Sequence, residues 1–186
     1  MQAFLVSTGL VALAEIGDKT QLLSLVLAAR YRRPWPIVAG IFVSTLLNHA
    51  AAAALGTWIT HLVDETLMAR ILGASFLAMA AWVLVPDKLD GDDAKPRTYG
   101  GVFLTTVVLF FIAEMGDKTQ VATVMLAARY DALVAVVGGT TLGMLAANVP
   151  VVFFGDAIAR RVPLAIVRKV AAAAFAALGL AALLLG

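Results

Sequence analysis

Ala14-Glu15-Ile16-Gly17-Asp18-Lys19-Thr20-Gln21 and Ala113-Glu114-Met115-Gly116-Asp117-Lys118-Thr119-Gln120 are one octet written twice, differing only at Ile16 and Met115. The first lies in the apolar run from Phe4 to Ala29, the second in the run from Val102 to Ala128. Together they put four carboxylates and two lysines inside segments that read as membrane spans. Ionisable groups at that depth are costly, and they mark ion or substrate pathways.

The rest of the chain supports a bilayer environment. Hydrophobic residues are 62% of the 186 and charged residues 14%, well below the roughly 25% of soluble domains. Mean hydropathy is +0.95. The apolar runs are too long for barrel strands, which need about 9–11 residues, and suit transmembrane helices. The opening Met-Gln-Ala-Phe carries no basic segment, so no cleaved signal peptide is expected. Cysteine is absent, which excludes disulfides and thiolate metal sites.

Six spans fit: Gln2 to Ala29, Trp35 to Thr60, Ile71 to Val85, Gly101 to Ala128, Leu133 to Ala159 and Pro163 to Leu185. Between the third and fourth lies a charged stretch punctuated by Gly91 and Pro96, which reads as a loop. A constant shift of 99 residues superposes the octets, then Leu27-Ala28-Ala29-Arg30-Tyr31 on Leu126-Ala127-Ala128-Arg129-Tyr130, and aligns Gly40 with Gly139, Gly56 with Gly155 and Phe76 with Phe175. Asn48 and Asn148 match after a one-residue slip. The expected fold is therefore an all-α integral membrane protein. Its six transmembrane helices form two three-helix repeats, residues 1–86 and 100–186, joined by a linker at 87–99. With an odd number of spans each, the repeats are inverted, an arrangement that in transporters places the site near the midplane.

Lys and Arg at loops and span ends orient the chain. Arg30, Arg32, Arg33, Lys88, Lys95, Arg97, Arg160, Arg161, Arg168 and Lys169 fall on one side, and Arg70 and Arg129 on the other. The first side is expected to be cytoplasmic, with the linker there and both termini outside. The third and sixth spans carry almost no polar side chain and read as scaffold, and Gly139 and Gly143 read as a close-packing pair.

On a continuous helix Glu15, Asp18 and Lys19 share a face, as do Glu114, Asp117 and Lys118, because positions three and four apart are neighbours. Gln21 and Gln120 follow three residues after the aspartates. Gly17 and Gly116 permit either close approach of a facing helix or a local unwinding that frees carbonyl ligands. The four carboxylates give −4 and Lys19 and Lys118 give +2. The remaining −2 matches one divalent cation or two protons. Oxygen donors suit Ca²⁺, Mn²⁺ and Mg²⁺. The structural alternative is a pair of buried ion pairs, Glu15–Lys19 and Glu114–Lys118. It leaves Asp18 and Asp117 unaccounted for, and it does not explain the duplication.

Several other residues have two readings. Thr20 and Thr119 either bond back to a carbonyl four residues earlier or ligate. Asn48 and Asn148 either tie helices together or support the site. His49 has Val149 as its counterpart and reads as a packing or hydrogen-bonding residue, with a proton relay the alternative. Pro150 is expected to kink the fifth span, and Met115 to pack in the core.

The twin Glu-x-Gly-Asp-Lys-Thr motifs, each on the first span of a three-helix half, resemble those of the Gdt-type cation/proton exchanger family. This family includes Golgi proteins and bacterial manganese exporters and is grouped with the lysine-exporter superfamily. The resemblance covers nearly the whole chain. It implies transport of Mn²⁺ and Ca²⁺ against protons, with Glu15, Asp18, Glu114 and Asp117 as the metal-binding acids, and the compact bacterial form of the family. Expected partners are a divalent cation, protons and the bilayer of the bacterial cytoplasmic membrane, with no nucleic acid and no permanent cofactor. Two other functions compete. An intramembrane metal-dependent enzyme has no use for a two-fold repeat. An amino-acid exporter fits four acids and two lysines less well than a cation carrier does.

Overall fold

The computed structural model describes residues 1–86, 98–155 and 163–185. Within them the chain forms eight helices: α1 Gln2–Glu15, α2 Lys19–Tyr31, α3 Pro34–Thr60, α4 Glu65–Val83, α5 Val102–Glu114, α6 Lys118–Tyr130, α7 Leu133–Phe154 and α8 Leu164–Leu185. Four of these, α3, α4, α7 and α8, are long and apolar enough to cross a membrane; α1 and α5 are shorter apolar helices. Most of the linker expected at 87–99, with Lys88, Lys95 and Arg97, lies outside the described residues, as do Arg160 and Arg161.

The principal correction concerns the octets. The expected continuous spans from Gln2 to Ala29 and from Gly101 to Ala128 are each broken in two. Ile16 and Met115 turn extended, with ψ of 114° and 115°. Gly17 and Gly116 follow at φ of 84° and 75°, a region side-chain-bearing residues avoid. Asp18 and Asp117 are then the N-caps of α2 and α6. The other boundaries follow ordinary signals. Pro34 opens α3, where its missing N–H is not needed. Asp64 caps α4 by accepting from the Leu67 amide at 2.9 Å. Arg32 and Asp131, equivalent by the 99-residue shift, end α2 and α6 with φ of 50° and 43°. Pro150 lies inside α7, which continues beyond it to Phe154.

Glycines set the packing. A Cβ on Gly139 would lie 2.5 Å from the Phe4 carbonyl, and one on Gly143 2.6 Å from the Thr8 carbonyl, so α7 lies backbone to backbone against α1. Gly56 brings α3 equally close to α6, and Gly40 brings it to α5. The scaffold pair α4 and α8 meets at Gly73 and Gly179, with the Phe76 and Phe175 rings 6.4 Å apart. The buried apolar side chains form two clusters. One gathers Phe76, Met79, Leu126 and Phe175, the other Leu23, Leu27, Ile37, Ile41, Phe110 and Met144.

These close approaches are testable. A Cβ at position 56 would sit 2.2 Å from the Val124 carbonyl oxygen, whereas one at Gly9 meets nothing within 4 Å. Gly56→Ala is expected to destabilise the protein by about 1–3 kcal/mol. Gly9→Ala, inside α1, is expected to stabilise by roughly 0.5–1 kcal/mol. Unfolding midpoints of the purified protein in detergent check the contrast.

Candidate metal site

Each break is closed by its own octet. The Gly17 amide donates to Gln21 Oε1 at 2.9 Å, and the Gly116 amide to Gln120 Oε1 at 2.8 Å. The Asp18 and Asp117 amides donate to the Glu15 and Glu114 carbonyls at 3.0 and 3.1 Å. The glutamines thus spend their carbonyl oxygens on the backbone. Their amides reach outward: Gln21 Nε2 donates to the Ala147 carbonyl on α7, and Gln120 Nε2 to Asn48 Oδ1 on α3, both at 3.0 Å. In both halves the carbonyl end of one half-helix faces the amide end of the next, so opposite ends of two helix dipoles meet at the acids.

The lysines do not pair within their octets. Lys19 Nζ lies 3.2 Å from Asp117 Oδ1, and Lys118 Nζ lies 3.9 Å from Asp18 Oδ1. The break removes the helical register on which a Glu15–Lys19 or Glu114–Lys118 pair depends, and each lysine crosses to the aspartate of the other half. Lys118 also donates to the Val85 carbonyl at 3.0 Å. It is buried, whereas the Lys19 side chain is 27% exposed.

The threonines do something neither expectation included. Thr20 donates to Glu15 Oε1, and Thr119 donates to Glu114 Oε2 at 2.7 Å. They do not bond back to the fourth preceding carbonyl. Asn148 Nδ2 donates to Glu15 Oε1 at 3.0 Å, and its Oδ1 accepts from Ser24 at 2.7 Å. Asn48 instead donates to the Phe111 carbonyl at 3.1 Å. Ser24 escaped the sequence reading, although the duplicated hydroxyl at Ser24 and Thr123 was a signal for it. Met115 is 58% exposed rather than packed in the core, because the extended residue before Gly116 points away from the bundle.

Glu15 and Glu114 are fully buried, and each keeps one oxygen without a hydrogen-bond partner, Glu15 Oε2 and Glu114 Oε1. Glu15 lies within electrostatic range of Glu114, Asp18 and Asp117. Even so, among the described residues no three His, Asp or Glu side chains converge closely enough to hold an ion in this arrangement. His49 is also fully buried. Its Nε2 is 3.9 Å from Glu114 Oε2, and neither ring nitrogen has a hydrogen-bond partner.

Comparison with known proteins gives a consistent result. The family model described as "Divalent cation/proton antiporter GDT1" matches residues 3–91 and 102–186. A Vibrio cholerae protein named as a candidate manganese exporter is 52% identical, over 97% of this chain and 90% of its own length. The GDT1-like protein sll0615 of Synechocystis is 29% identical over 87% of each chain. GDT1-like protein 5 of Arabidopsis thaliana is 27% identical over 75% of this chain and 77% of its own. No solved structure matches.

The break geometry predicts unequal costs at equivalent positions. At Gly116 a Cβ meets nothing, so Gly116→Ala carries only the left-handed backbone penalty, about 1–2 kcal/mol. At Gly17 a Cβ would also lie 2.8 Å from the Leu164 side chain. Gly17→Ala is therefore expected to lower the unfolding midpoint more than Gly116→Ala, measured side by side in one detergent.

Proposed function

The chain belongs to the GDT1 family of divalent cation/proton antiporters, membrane transporters rather than enzymes, and from that premise we propose that it exports Mn²⁺, with Ca²⁺ the second candidate, in exchange for protons. The observation that carries the reading is the unequal treatment of the four acids. Each aspartate faces a lysine of the opposite octet, whereas each glutamate is buried with one oxygen held by a threonine and the other oxygen without a partner. Among the described residues neither glutamate pairs with a lysine or arginine, which is the −2 of the formal count. Without metal, charge balance has the site as a whole hold two protons. Ligating carboxylates must be deprotonated, so an entering M²⁺ displaces both protons. Glu15, Asp18, Glu114 and Asp117 take the cation as substrate, and the lysines leave the aspartates as it enters. Thr20, Thr119, Gln21, Gln120, Asn48 and Asn148 hold the acids and the breaks in place. If each loaded form reorients across the membrane and the empty charged form does not, the outcome is exchange of one M²⁺ for two H⁺.

The same reading makes each broken pair, α1 with α2 and α5 with α6, one span, which gives six crossings with α3, α4, α7 and α8. The repeats, 1–86 and 100–186, are inverted about the crossing of the octets. Reciprocity supports this: Lys19 meets Asp117 and Lys118 meets Asp18, while α1 packs on α6 and α2 on α5. Both termini are placed outside a bacterial cytoplasmic membrane by the Lys/Arg asymmetry. The preference for Mn²⁺ over Ca²⁺ follows the name of the Vibrio relative.

In proteoliposomes carrying a pH-sensitive dye, Mn²⁺ uptake is expected to release protons with little dependence on a clamped membrane potential. Asp18→Asn and Asp117→Asn are each expected to abolish transport while the protein remains folded, since each removes an anionic ligand at constant volume. Mn²⁺ movement without proton release refutes antiport, and wild-type rates in either variant remove that aspartate from the site. A carboxy-terminal reporter active only in the cytoplasm reverses the topology.

A further inference from the structure

His49 follows Asn48 on α3, and α3 carries it against the second break. Its ring is fully buried and both nitrogens are without a hydrogen-bond partner. Nε2 lies 3.9 Å from Glu114 Oε2, beyond hydrogen-bond range. A neutral imidazole offers one donor and one acceptor, and leaving both unmatched in a buried site is costly. Of the two Glu114 oxygens, Oε2 accepts from Thr119 and Oε1 has no partner. Two ligands of one cation, with bonds of roughly 2.0–2.3 Å, stand roughly 3–4.5 Å apart. The spacing of His49 and Glu114 falls in that interval.

Resting on the transport reading above, we infer that His49 Nε2 is a nitrogen ligand of the transported cation at the second octet, and that it sets the preference for a transition-metal cation over Ca²⁺ and Mg²⁺. Ca²⁺ and Mg²⁺ are hard ions that take oxygen ligands. Mn²⁺ shares those oxygen ligands but stands in the first-row transition series, which accepts a nitrogen donor more readily than the alkaline-earth ions do. At the matching place the first half has Val149. The carboxylates alone offer the same oxygens to every hard divalent ion, and the ring adds a nitrogen to that set.

Pulsed electron paramagnetic resonance on the purified full chain loaded with Mn²⁺ alone tests this directly. The chain has two histidines, and His61 sits exposed at the end of α3. A directly bound imidazole nitrogen is expected in the wild type and in His61→Gln, and is expected to vanish in His49→Gln. Should His49→Gln fail to fold, ¹⁵N-histidine labelling of His61→Gln decides, because His49 is then the remaining histidine. In liposomes, His49→Gln is expected to lose the Mn²⁺ over Ca²⁺ preference while Ca²⁺ transport continues. An oxygen-only spectrum with Mn²⁺ bound overturns the ligand and leaves the transport reading standing. Equal loss of Mn²⁺ and Ca²⁺ transport makes the role structural and also overturns it. A wild type that neither binds nor moves Mn²⁺ overturns the transport reading, and this inference with it.

Discussion

A helix broken among apolar helices leaves peptide groups that must find partners within the chain, and the octets answer that constraint. The Gly17 and Gly116 amides are taken by Gln21 and Gln120, and the next amides by the Glu15 and Glu114 carbonyls. The glutamines are in turn anchored on α7 and α3. Those two helices stay unbroken through the level of the site, and glycine contacts hold them against the broken ones. The break is thus a braced element rather than a loose one, as positioning charged ligands requires.

Electrostatics follows from the same geometry. Breaking the helix at Gly17 separates Glu15 from Lys19 and turns the lysine toward the other repeat. Each half then supplies the countercharge of the other. On the proposed reading, a cation competing for these aspartates would meet built-in cations that must withdraw. Glu15 and Glu114, held instead by Thr20 and Thr119, are left to balance their charge with whatever enters.

The sequence was most informative where residue identity alone decides. The duplicated octets, the 99-residue shift, the all-helical class and the matched Asn48 and Asn148 required only reading the chain. What it concealed was local backbone direction. The rule placing Glu15, Asp18 and Lys19 on one face presumes an uninterrupted helix, and a glycine is compatible both with a close-packed helix and with a break. Once φ at Gly17 is positive, neighbours inferred from helical spacing no longer hold, so neither the lysine–aspartate pairs across the repeats nor the threonine–glutamate bonds could be read from spacing. Met115 was misread for the same reason. Ser24 was hidden because a serine on an apolar helix is usually unremarked, and only its contact with Asn148 gives it a role.

The two repeats carry the same octet in different surroundings, and the differences are coordinated. Gly17 is covered by Leu164 whereas nothing stands over Gly116. Lys118 is buried and bonded to the Val85 carbonyl, whereas Lys19 is part-exposed. On the proposed inverted-repeat reading, two chemically equal breaks in unequal surroundings are what one of two exchanging states would present, the opposite state exchanging the surroundings of the two octets. His49 against Val149, and Pro150 against Ala50, are differences no exchange of surroundings removes. They sit one and two residues beyond the asparagines that brace the breaks. Sequence identity is thus kept in the octets, where the proposed exchange would need the same ligands in both states, and abandoned one turn or less away, where selectivity for one ion over another could be built without disturbing it.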